Sequence, residues 1–337
     1  MSAGLMGQDM AEQPAVLAAL VARRDEILES LSGPAPAGIV IVARGSSDHA
    51  GIFGRYLLEA ATGLPVALAA PSLQTLYGVR PRVEGWLAVG ISQSGRTPEI
   101  ATVLERFREE GARAVAVTND PDSPLARGAS VHVSLGAGEE RAVPATKTFT
   151  AQLTAMALVA EALGPVPFGA ADWERLPGLI EEVLGDAAPA ERVATQLHGV
   201  DELACVGRGY LMCVALEAAL KLREAAGVRA EGWSAADFRH GPLTVVGPGL
   251  PILAVSAAGP AAADVAELAE QLAGGGAAVL RMSDDASADI PFPSGLPEPL
   301  AAIPATVRAQ QLALALALRR GVDPDRPPGL AKVTRTA

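Results

Sequence analysis

A cluster of hydrogen-bonding side chains directly follows the apolar run at 86–90. Its members are Ser92, Gln93, Ser94 and Thr97. A helical pattern, 98–110, begins at once, so the free N–H groups of a helix start would lie beside these side chains. Together they would form a cradle for a phosphate group. An ordinary Ser/Thr-capped helix is the alternative, but four donors within six residues favour the anion site.

Three charged residues share one face of a later helical pattern. They are Glu217, Lys221 and Glu224, spaced i, i+4 and i+7. The opposite face, predicted to be core, carries several alanines together with Leu216 and Leu220. A solvated ladder of ion pairs would explain such a face without any function.

A histidine near this helix favours a functional interpretation. His240 precedes a Gly-Pro turn, a placement suited to an exposed imidazole. Proton transfer at neutral pH needs a carboxylate base and a group that titrates near pH 7. Glu224 and His240 are therefore the best candidates for acid–base chemistry in this chain.

The elements that must position these residues occur twice. A strand pattern with a glycine-rich loop at 38–47 has its counterpart at 202–210, and the strand–helix–strand pattern 87–117 recurs at 253–280. Each unit predicts parallel strands joined by a right-handed crossover. The sequence therefore predicts an α/β fold with two doubly wound domains in tandem, whose ligands bind beyond the carboxyl ends of the strands.

The two copies differ in the loop that would bind the anion. The sequence Ser-Gln-Ser-Gly at 92–95 becomes Ser-Ala-Ala-Gly-Pro at 256–260. Most of the hydroxyl and amide donors are absent from the second loop. We therefore expect a phosphate site in the first half only, with the second half supplying other chemistry.

Composition excludes several classes of protein. The 337 residues are 50% hydrophobic with a net charge of −11, which argues against nucleic acid or anionic membranes as partners. No apolar stretch approaches the length of a membrane span, and the charged N-terminus does not read as a signal peptide, so we expect a cytoplasmic protein. Cys205 and Cys213 are interpreted as buried apolar residues, and no ligand set for a metal is recognised.

Six segments, in order along nearly the whole chain, resemble the double sugar-isomerase (SIS) domain family. They lie at 43–49, 91–97, 145–149, 218–224, 240–242 and 330–332. A single SIS loop would be a weak signal, whereas six collinear motifs are specific. The chain looks most like the isomerase half of glutamine:fructose-6-phosphate aminotransferase and its stand-alone relatives.

The resemblance implies two tandem SIS domains, each a doubly wound parallel sheet flanked by helices. The first would occupy 36–165 and carry the phosphate loop, and the second would occupy 196–325 and carry the catalytic Glu and His. A helical segment, 1–35, would precede them and a helical linker, 166–195, would join them. The C-terminal tail, 326–337, would close the site.

The resemblance also implies roles for individual residues. Those that would hold a sugar phosphate are Ser47, Ser92, Gln93, Ser94, Thr97 and the backbone at Val143. Glu224 would carry a proton between C1 and C2 with help from Lys221. His240 would open the pyranose ring, reaching in from the partner subunit of a homodimer. Lys332 would close over the substrate and contact its open-chain carbonyl, whereas Lys147 is expected to be structural, pairing with Glu139 or Glu140.

Two departures distinguish the chain from the aminotransferase. No segment before residue 38 resembles a glutaminase domain and no cysteine lies near the N-terminus, so we expect no release of ammonia from glutamine by this chain. Position 96 is Arg, where the aminotransferase-like loop usually carries an acid. With this arginine, the segments 44–49, 76–78 and 94–97 look closer to the stand-alone glucosamine-6-phosphate deaminases.

The predicted function is therefore that of a glucosamine-6-phosphate deaminase, which forms fructose 6-phosphate and ammonia without a cofactor. Two alternatives remain open: another phosphosugar isomerase or ketosamine-6-phosphate deglycase, and a non-catalytic sugar-phosphate sensor. Glu224, His240 and Lys332 favour catalysis, because a sensor would need only the phosphate loop.

Two apolar stretches are candidate dimer surfaces. One comprises Val16, Leu17, Leu20 and Val21, and the other is the alanine-rich helical pattern 312–318. The alternative, which is the commoner case for an apolar helix face, is that each stretch packs on its own domain.

Overall fold

The computed structural model describes residues 4–330 and Lys332. Two compact units are present. The first unit comprises 15–140 and 147–169 together with Lys332, and the second comprises 4–14, 141–146 and 170–330. Three helices open the chain, namely α1 (Gly4–Ala11), α2 (Gln13–Ala22) and α3 (Arg24–Ser30).

The first unit is built on a five-stranded parallel sheet. Its strands are β1 (Ile39–Val42), β2 (Val66–Leu68), β3 (Leu87–Ile91), β4 (Arg113–Thr118) and β5 (Val131–Ser134), in the order β2-β1-β3-β4-β5. Its further helices are α4 (Ser46–Thr62), α5 (Pro71–Thr75), α6 (Pro98–Glu109), α7 (Pro124–Gly128) and α8 (Lys147–Leu163). The central strands are almost continuous aliphatic runs, as expected where helices cover both faces of a parallel sheet.

Packing in the first unit explains how the strands and helices are held together. One face of the sheet packs on α6 through Val103, Leu104 and Phe107. Helix α8 is buried along most of its length and packs against α4. A Cβ at Gly54 of α4 would lie 2.4 Å from Met156 Cε, so the glycine leaves room for the end of the Met156 side chain between the two helices.

The second unit repeats the architecture. Its strands are β6 (Glu202–Gly207), β7 (Arg229–Ser234), β8 (Ile252–Val255), β9 (Val279–Ser283) and β10 (Ile290–Pro291), all parallel in the order β10-β9-β8-β6-β7. Its helices are α9 (Ala170–Gly185), α10 (Ala188–Gln196), α11 (Met212–Ala226), α12 (Ala235–Phe238), α13 (Ala262–Gly274) and α14 (Glu298–Arg320). Helix α13 packs on the sheet through Val265, Leu268 and Leu272, and α11 packs against α14 and β7.

The predicted fold class is confirmed, because each half of the chain forms a parallel sheet flanked by helices. The helix predicted at 98–110 begins at Pro98 and ends at Glu109, and Cys205 and Cys213 lie in a strand and a helix as predicted. Both sulfurs are fully buried. Burial raises the pKa of the Cys205 thiol to about 12 and that of Cys213 further still, which leaves both thiols unreactive.

The prediction for the faces of α11 holds for its alanines and was wrong for its leucines. Ala215, Ala218 and Ala219 are fully buried, whereas Leu216 and Leu220 are only half-buried. Glu217 and Lys221 are fully buried as well, and their opposite charges neutralise one another. At about 100° per residue, the two leucines lie about 80° and 40° around the helix from Glu224, so they stand beside the charges rather than opposite them.

The two apolar stretches considered as dimer surfaces pack within their own chain. Leu17 and Leu20 of α2 and Leu312 and Leu316 of α14 are fully buried. The large apolar side chains that remain exposed are elsewhere in the described residues, namely Tyr56, Leu73, Leu76, Tyr77, Val79, Val245 and Leu330. One of these buried helices also corrects the expectation about membrane spans. By length and composition α14 could cross a bilayer, but 94% of its most apolar window is buried, as in a core helix.

Candidate active site

Gly95 lies at the centre of the loop between β3 and α6, and the hydroxyl groups of the loop are arranged around it. Gly95 has φ +60°, and a Cβ there would lie 2.1 Å from Ser123 Oγ, so no larger residue fits. Ser92 Oγ accepts the Gly95 N–H at 3.2 Å and lies 3.5 Å from Thr97 Oγ1. Ser94 Oγ accepts the Arg96 N–H at 3.2 Å. The loop therefore holds three hydroxyl groups in fixed positions.

The helix start beside this loop is suited to an anion. Thr97 is the N-cap of α6, and its side chain makes no capping hydrogen bond. Pro98 lacks an N–H, so the N–H groups of Glu99 and Ile100 are the ones left without an intrahelical acceptor. The positive end of the helix dipole adds to their attraction for a negative charge. Half-buried Gln93, Ser94 and Thr97 leave the loop accessible to a ligand.

A neighbouring loop supplies the second wall of this anion site. Ser47 lies in the first turn of α4, and its Oγ accepts a hydrogen bond from Gln152 Nε2 at 2.9 Å. Arg44 bonds through two nitrogens to Glu99, at 3.1 and 3.3 Å. This ion pair ties the loop after β1 to the first turn of α6. The strand ends of β1 and β3 therefore present one combined surface, and Gln152 and Glu99 are supporting residues that the sequence analysis missed.

Arg96 points its charge along the rim of the loop. Its guanidinium lies 2.7 Å from Asp120 Oδ2, and both side chains are partly exposed. The Asp122 backbone N–H and the Arg96 guanidinium hold the pKa of Asp120 below its usual range. An acid at position 96 would repel Asp120, so the arginine suits this particular neighbourhood.

Lys332 contacts a buried carboxylate. Its ammonium group lies 4.0 Å from Glu140 Oε2, and the Glu140 side chain is fully buried. Thr148 Oγ1, in the first turn of α8, donates a hydrogen bond to the same carboxylate oxygen. Lys147 Nζ donates to the backbone oxygen of Glu139 at 2.7 Å, as a structural lysine would. Glu140 was considered only as a partner for Lys147, because nothing in the sequence links it to a lysine 192 positions away.

In the second unit, Glu217, Lys221 and Glu224 of α11 contact one another through Lys221, and we call these three residues the charge relay. Lys221 Nζ lies 3.3 Å from Glu217 Oε1 and also bonds to Glu224 Oε2. Burial would lower the pKa of Lys221, but the two carboxylates outweigh it and raise that pKa above its usual value. The lysine therefore stays cationic at neutral pH. Glu224, with 18% of its side chain exposed, is the member that a substrate can reach.

His240 lies at the surface of its own chain. It follows α12, whose start is capped by Ser234 Oγ accepting the Asp237 N–H at 3.2 Å. The next residue after α12, Arg239, bonds to Asp264 at 2.7 Å and fixes the end of this short helix. The imidazole is thus on an anchored turn and exposed to solvent.

The segment around Val143 is held by α1 and by the C-terminal segment. The fully buried carboxylate of Asp9 accepts the N–H groups of Arg141 and Ala142 at 2.7 and 2.9 Å. The Val143 N–H donates to the Asp325 backbone oxygen at 3.2 Å. Asp325 in turn accepts the N–H groups of Leu5 and Met6 through its carboxylate, both at 2.7 Å. These two acids were not predicted, since their partners lie more than a hundred positions away.

The structure gives no sign of a metal centre in the part of the chain that it describes. Among residues 4–330 and Lys332, no three His, Cys, Asp or Glu side chains are grouped to hold an ion. The side chains assembled at the candidate site are carboxylates, ammonium groups, hydroxyls, an amide and the exposed imidazole of His240.

Comparison with known proteins agrees with this architecture. A family model described as "SIS domain" matches residues 36–162 and 196–291. The isomerizing glutamine–fructose-6-phosphate aminotransferase of Methanothermobacter thermautotrophicus is 31% identical over 339 residues, covering 97% of this chain and 56% of that protein. The chain thus spans little more than half the length of this relative.

Solved structures share the fold along almost their whole length. A candidate phosphosugar isomerase from Silicibacter pomeroyi DSS-3 is similar at a TM-score of 0.81 with 31% identity, covering 95% of this chain and 99% of that one. The glucosamine-6-phosphate deaminase of Thermotoga maritima is also similar, at a TM-score of 0.81 with 24% identity. The match covers 99% of this chain and 100% of that one. Both the matched domains and the two parallel sheets lead to the same conclusion: the chain belongs to the SIS domain family.

Proposed function

We propose that this protein is a glucosamine-6-phosphate deaminase that converts glucosamine 6-phosphate and water to fructose 6-phosphate and ammonia. The observation that carries the proposal is the charge relay of α11. A partly exposed carboxylate, Glu224, is bonded to a buried lysine that a second buried carboxylate keeps charged. Such a carboxylate is a base held in one orientation, which is what proton transfer between adjacent carbons requires.

The steps follow from the chemistry of an open-chain amino sugar. His240 would protonate the ring oxygen and so open the pyranose to its C1 aldehyde. Glu224 would remove the C2 proton, which the aldehyde acidifies, and the resulting enediol-type intermediate would be protonated at C1. The product of this shift is a 2-imine, which water hydrolyses to the ketose and ammonia.

Binding is assigned to the first unit. The phosphate would accept hydrogen bonds from Ser47, Ser92, Ser94 and Thr97, from the Gln93 amide, and from the N–H groups at the start of α6. A phosphate remote from the reacting carbons supplies binding energy that also fixes C1 and C2 against the base. The backbone at Val143 would line the sugar.

Lys332 is assigned to the substrate's open-chain carbonyl. Its contact with Glu140 supports this role, because a carboxylate partner attracts the ammonium group and directs it. Polarising the C1 carbonyl would make the C2 proton easier to remove, which complements the base on α11.

We further propose that the active enzyme is a cytoplasmic homodimer in which His240 serves the partner's site. His240 is exposed, and Val245, five residues on, has 74% of its surface exposed. A partner subunit that packs on this turn would cover both side chains. If light scattering showed a fully active monomer, sharing of the histidine would be excluded.

The direct test is ammonia release from glucosamine 6-phosphate by the purified protein, with Glu224→Gln as the matched control. Turnover that the variant lacks is the expected result. The same assay should include other phosphosugars and ketosamine 6-phosphates, scored for both turnover and thermal shift. Absence of ammonia at millimolar substrate would contradict the proposal. Turnover of another sugar would then identify an isomerase or deglycase, and thermal shift without turnover a sensor.

A further inference from the structure

An ion pair joins the two loops that are assigned to the substrate phosphate. Arg44, two residues after the end of β1, donates to Glu99 in the first turn of α6 through Nε at 3.1 Å and through Nη2 at 3.3 Å. Ser47 lies three residues beyond Arg44, and Glu99 lies two residues beyond Thr97. Two parallel hydrogen bonds of this kind fix both the distance and the orientation of the groups that they join. The pair therefore sets the spacing between the two walls of the anion site.

The same ion pair places a negative charge beside that site. The Glu99 side chain is only 7% exposed, whereas that of Arg44 is 44% exposed. The carboxylate of a glutamate lies within about 6 Å of its own backbone nitrogen, and the Glu99 N–H is one of the donors at the start of α6. A phosphate oxygen on that N–H would be within about 9 Å of the carboxylate, which is about one Debye length at physiological ionic strength. A Glu99 without its counter-ion would therefore repel the phosphate.

Arg44 acts on a second carboxyl as well. Burial raises the pKa of Asp48, in the first turn of α4, and the charges of His49 and Arg44 oppose that rise. A phosphate monoester carries about 1.5 to 2 negative charges at pH 7. Loss of Arg44 would leave the carboxyls of Glu99 and Asp48 facing such a ligand without the guanidinium that offsets them.

The second unit contains the same ion pair without the phosphate loop. Arg208 Nε, directly after β6, lies 3.3 Å from Asp264 Oδ2 in the first turn of α13. Asp264 has a further partner, because Arg239 Nη1 donates to its other oxygen at 2.7 Å. A pair between the ends of the first and third strands is thus common to both units, but in the first unit it lies beside the donors of the loop 92–97. The second-unit pair therefore supplies a matched control.

We propose that Arg44 is a positioning residue for the substrate phosphate: it cancels the charge of Glu99 and holds Ser47 opposite the start of α6, so that a dianion can bind there. The proposal rests on the assignment of the phosphate to the loop 92–97. Arg44 acts through Glu99 and not through a contact of its own with the phosphate. Affinity for phosphate should therefore follow the net charge of the pair.

The test compares the binding of inorganic phosphate by the wild type, Arg44→Met, Glu99→Gln and the double variant. Apparent dissociation constants come from the rise of the unfolding temperature with phosphate, at an ionic strength held constant with potassium chloride. The pair is formally neutral in the wild type and the double variant, negative in Arg44→Met and positive in Glu99→Gln. We expect Arg44→Met to weaken phosphate binding by about tenfold and Glu99→Gln to tighten it several-fold. The double variant should recover most of the loss.

Either of two results would overturn the proposal. If the double variant binds phosphate as weakly as Arg44→Met, the arginine contacts the phosphate directly. If Glu99→Gln binds phosphate no more tightly than the wild type, the pair has only a structural role, and this arm decides the matter even where Arg44→Met fails to fold. The matched control, Arg208→Met, should leave phosphate binding unchanged, and an equal loss in that variant would show that the effect does not belong to the phosphate loop.

The phosphate-loop variant Ser94→Ala/Thr97→Ala separates this proposal from the proposed function. A phosphate-specific rise that is absent from the wild type, or that survives in the loop variant, would show that the phosphate was assigned to the wrong loop. A rise that the loop substitutions abolish and Arg44→Met retains would overturn only the role of Arg44. The readout needs no turnover, so it is independent of which sugar phosphate the protein converts.

Discussion

Lys221 Nζ lies 3.3 Å from Glu217 Oε1 within α11, and each side chain is only 1% exposed. Two opposite charges that are buried together cost solvation energy, and they are tolerated because each neutralises the other. Because Lys221 also bonds to the reachable Glu224, the stability of the helix and the orientation of the proposed base depend on the same lysine.

We expect Lys221→Met to destabilise the protein by about 3–5 kcal/mol, because it leaves the Glu217 carboxylate buried without a counter-ion. The double variant Lys221→Met/Glu217→Gln removes both charges and should recover much of that loss. Urea unfolding of the wild type, the two single variants and the double variant gives the coupling energy. Additive single effects would show that the two residues do not compensate each other.

Substitutions in the phosphate loop should mainly affect binding. Ser94→Ala and Thr97→Ala should each raise KM by about tenfold, since each removes a hydrogen bond to a charged group worth about 1.5 kcal/mol. A smaller loss of kcat is expected, because the phosphate also positions C1 and C2. Steady-state kinetics on glucosamine 6-phosphate separates the two effects. A fall in kcat with unchanged KM would exclude these hydroxyls from ground-state binding.

Glu224→Gln should mainly lower kcat, whereas the phosphate-loop substitutions should mainly raise KM. The amide keeps the shape of the side chain but cannot accept the C2 proton, so kcat should fall by about 10²-fold or more. In deuterated water, the wild type should incorporate deuterium from solvent during turnover and the variant should not. Near-normal turnover of Glu224→Gln would require that the base be sought elsewhere.

His240→Ala should be impaired in a way that depends on the form of the substrate. It should be slow on the closed pyranose and recover partly on an analogue fixed in the open-chain form. Pre-steady-state assays of the two forms with the same enzyme preparation make the comparison. Equal impairment on both forms would exclude ring opening as the role of His240.

Glu140→Gln should reduce kcat by about tenfold if Glu140 positions the ammonium group of Lys332. The matched control is Glu139→Gln, whose exposed side chain is one position away and whose backbone contact with Lys147 is retained. Unfolding temperature must be recorded for both variants. A loss of activity that merely follows a loss of stability would identify Glu140 as a structural residue.

The pH dependence of stability should reveal Glu298. Burial raises the pKa of this carboxyl, and the Ala261 N–H opposes the rise only in part. The pKa of Glu298 is higher in the folded protein than in the unfolded chain, so between these two pKa values the folded protein holds the proton more tightly. The free energy of unfolding therefore decreases as the pH rises through that range. Glu298→Gln has no carboxyl group that titrates at this position. Its stability relative to wild type should therefore increase from pH 4 towards neutrality. A difference that does not vary with pH would contradict the buried-acid interpretation.

Contiguous features of the fold and site could be predicted from the sequence, and long-range contacts could not. The donors from Ser92 to Thr97 lie within six residues, and their helix start is visible as Pro98 after an aliphatic strand. Repeated strand–helix patterns likewise define both parallel sheets, since each crossover is local. Asp9, by contrast, contacts a segment more than 130 positions away, and no periodicity encodes that pairing.

Burial of charge was the other feature that the sequence could not reveal. A helix with three charges spaced i, i+4 and i+7 has the pattern of an ordinary surface helix. Whether Glu217 and Lys221 face water depends on the elements packed against α11, and these come from β7 and α14. Only the assembled unit shows that the charged face is the covered one.

The hydrogen bonds from Leu5 and Met6 to Asp325 hold together two segments of the second unit that are 320 and 319 positions apart in the sequence. Because a short linker can join segments that already adjoin, we expect a circularly permuted chain to fold. New termini could be opened in the partly exposed connection 164–167, outside every loop assigned to binding or catalysis.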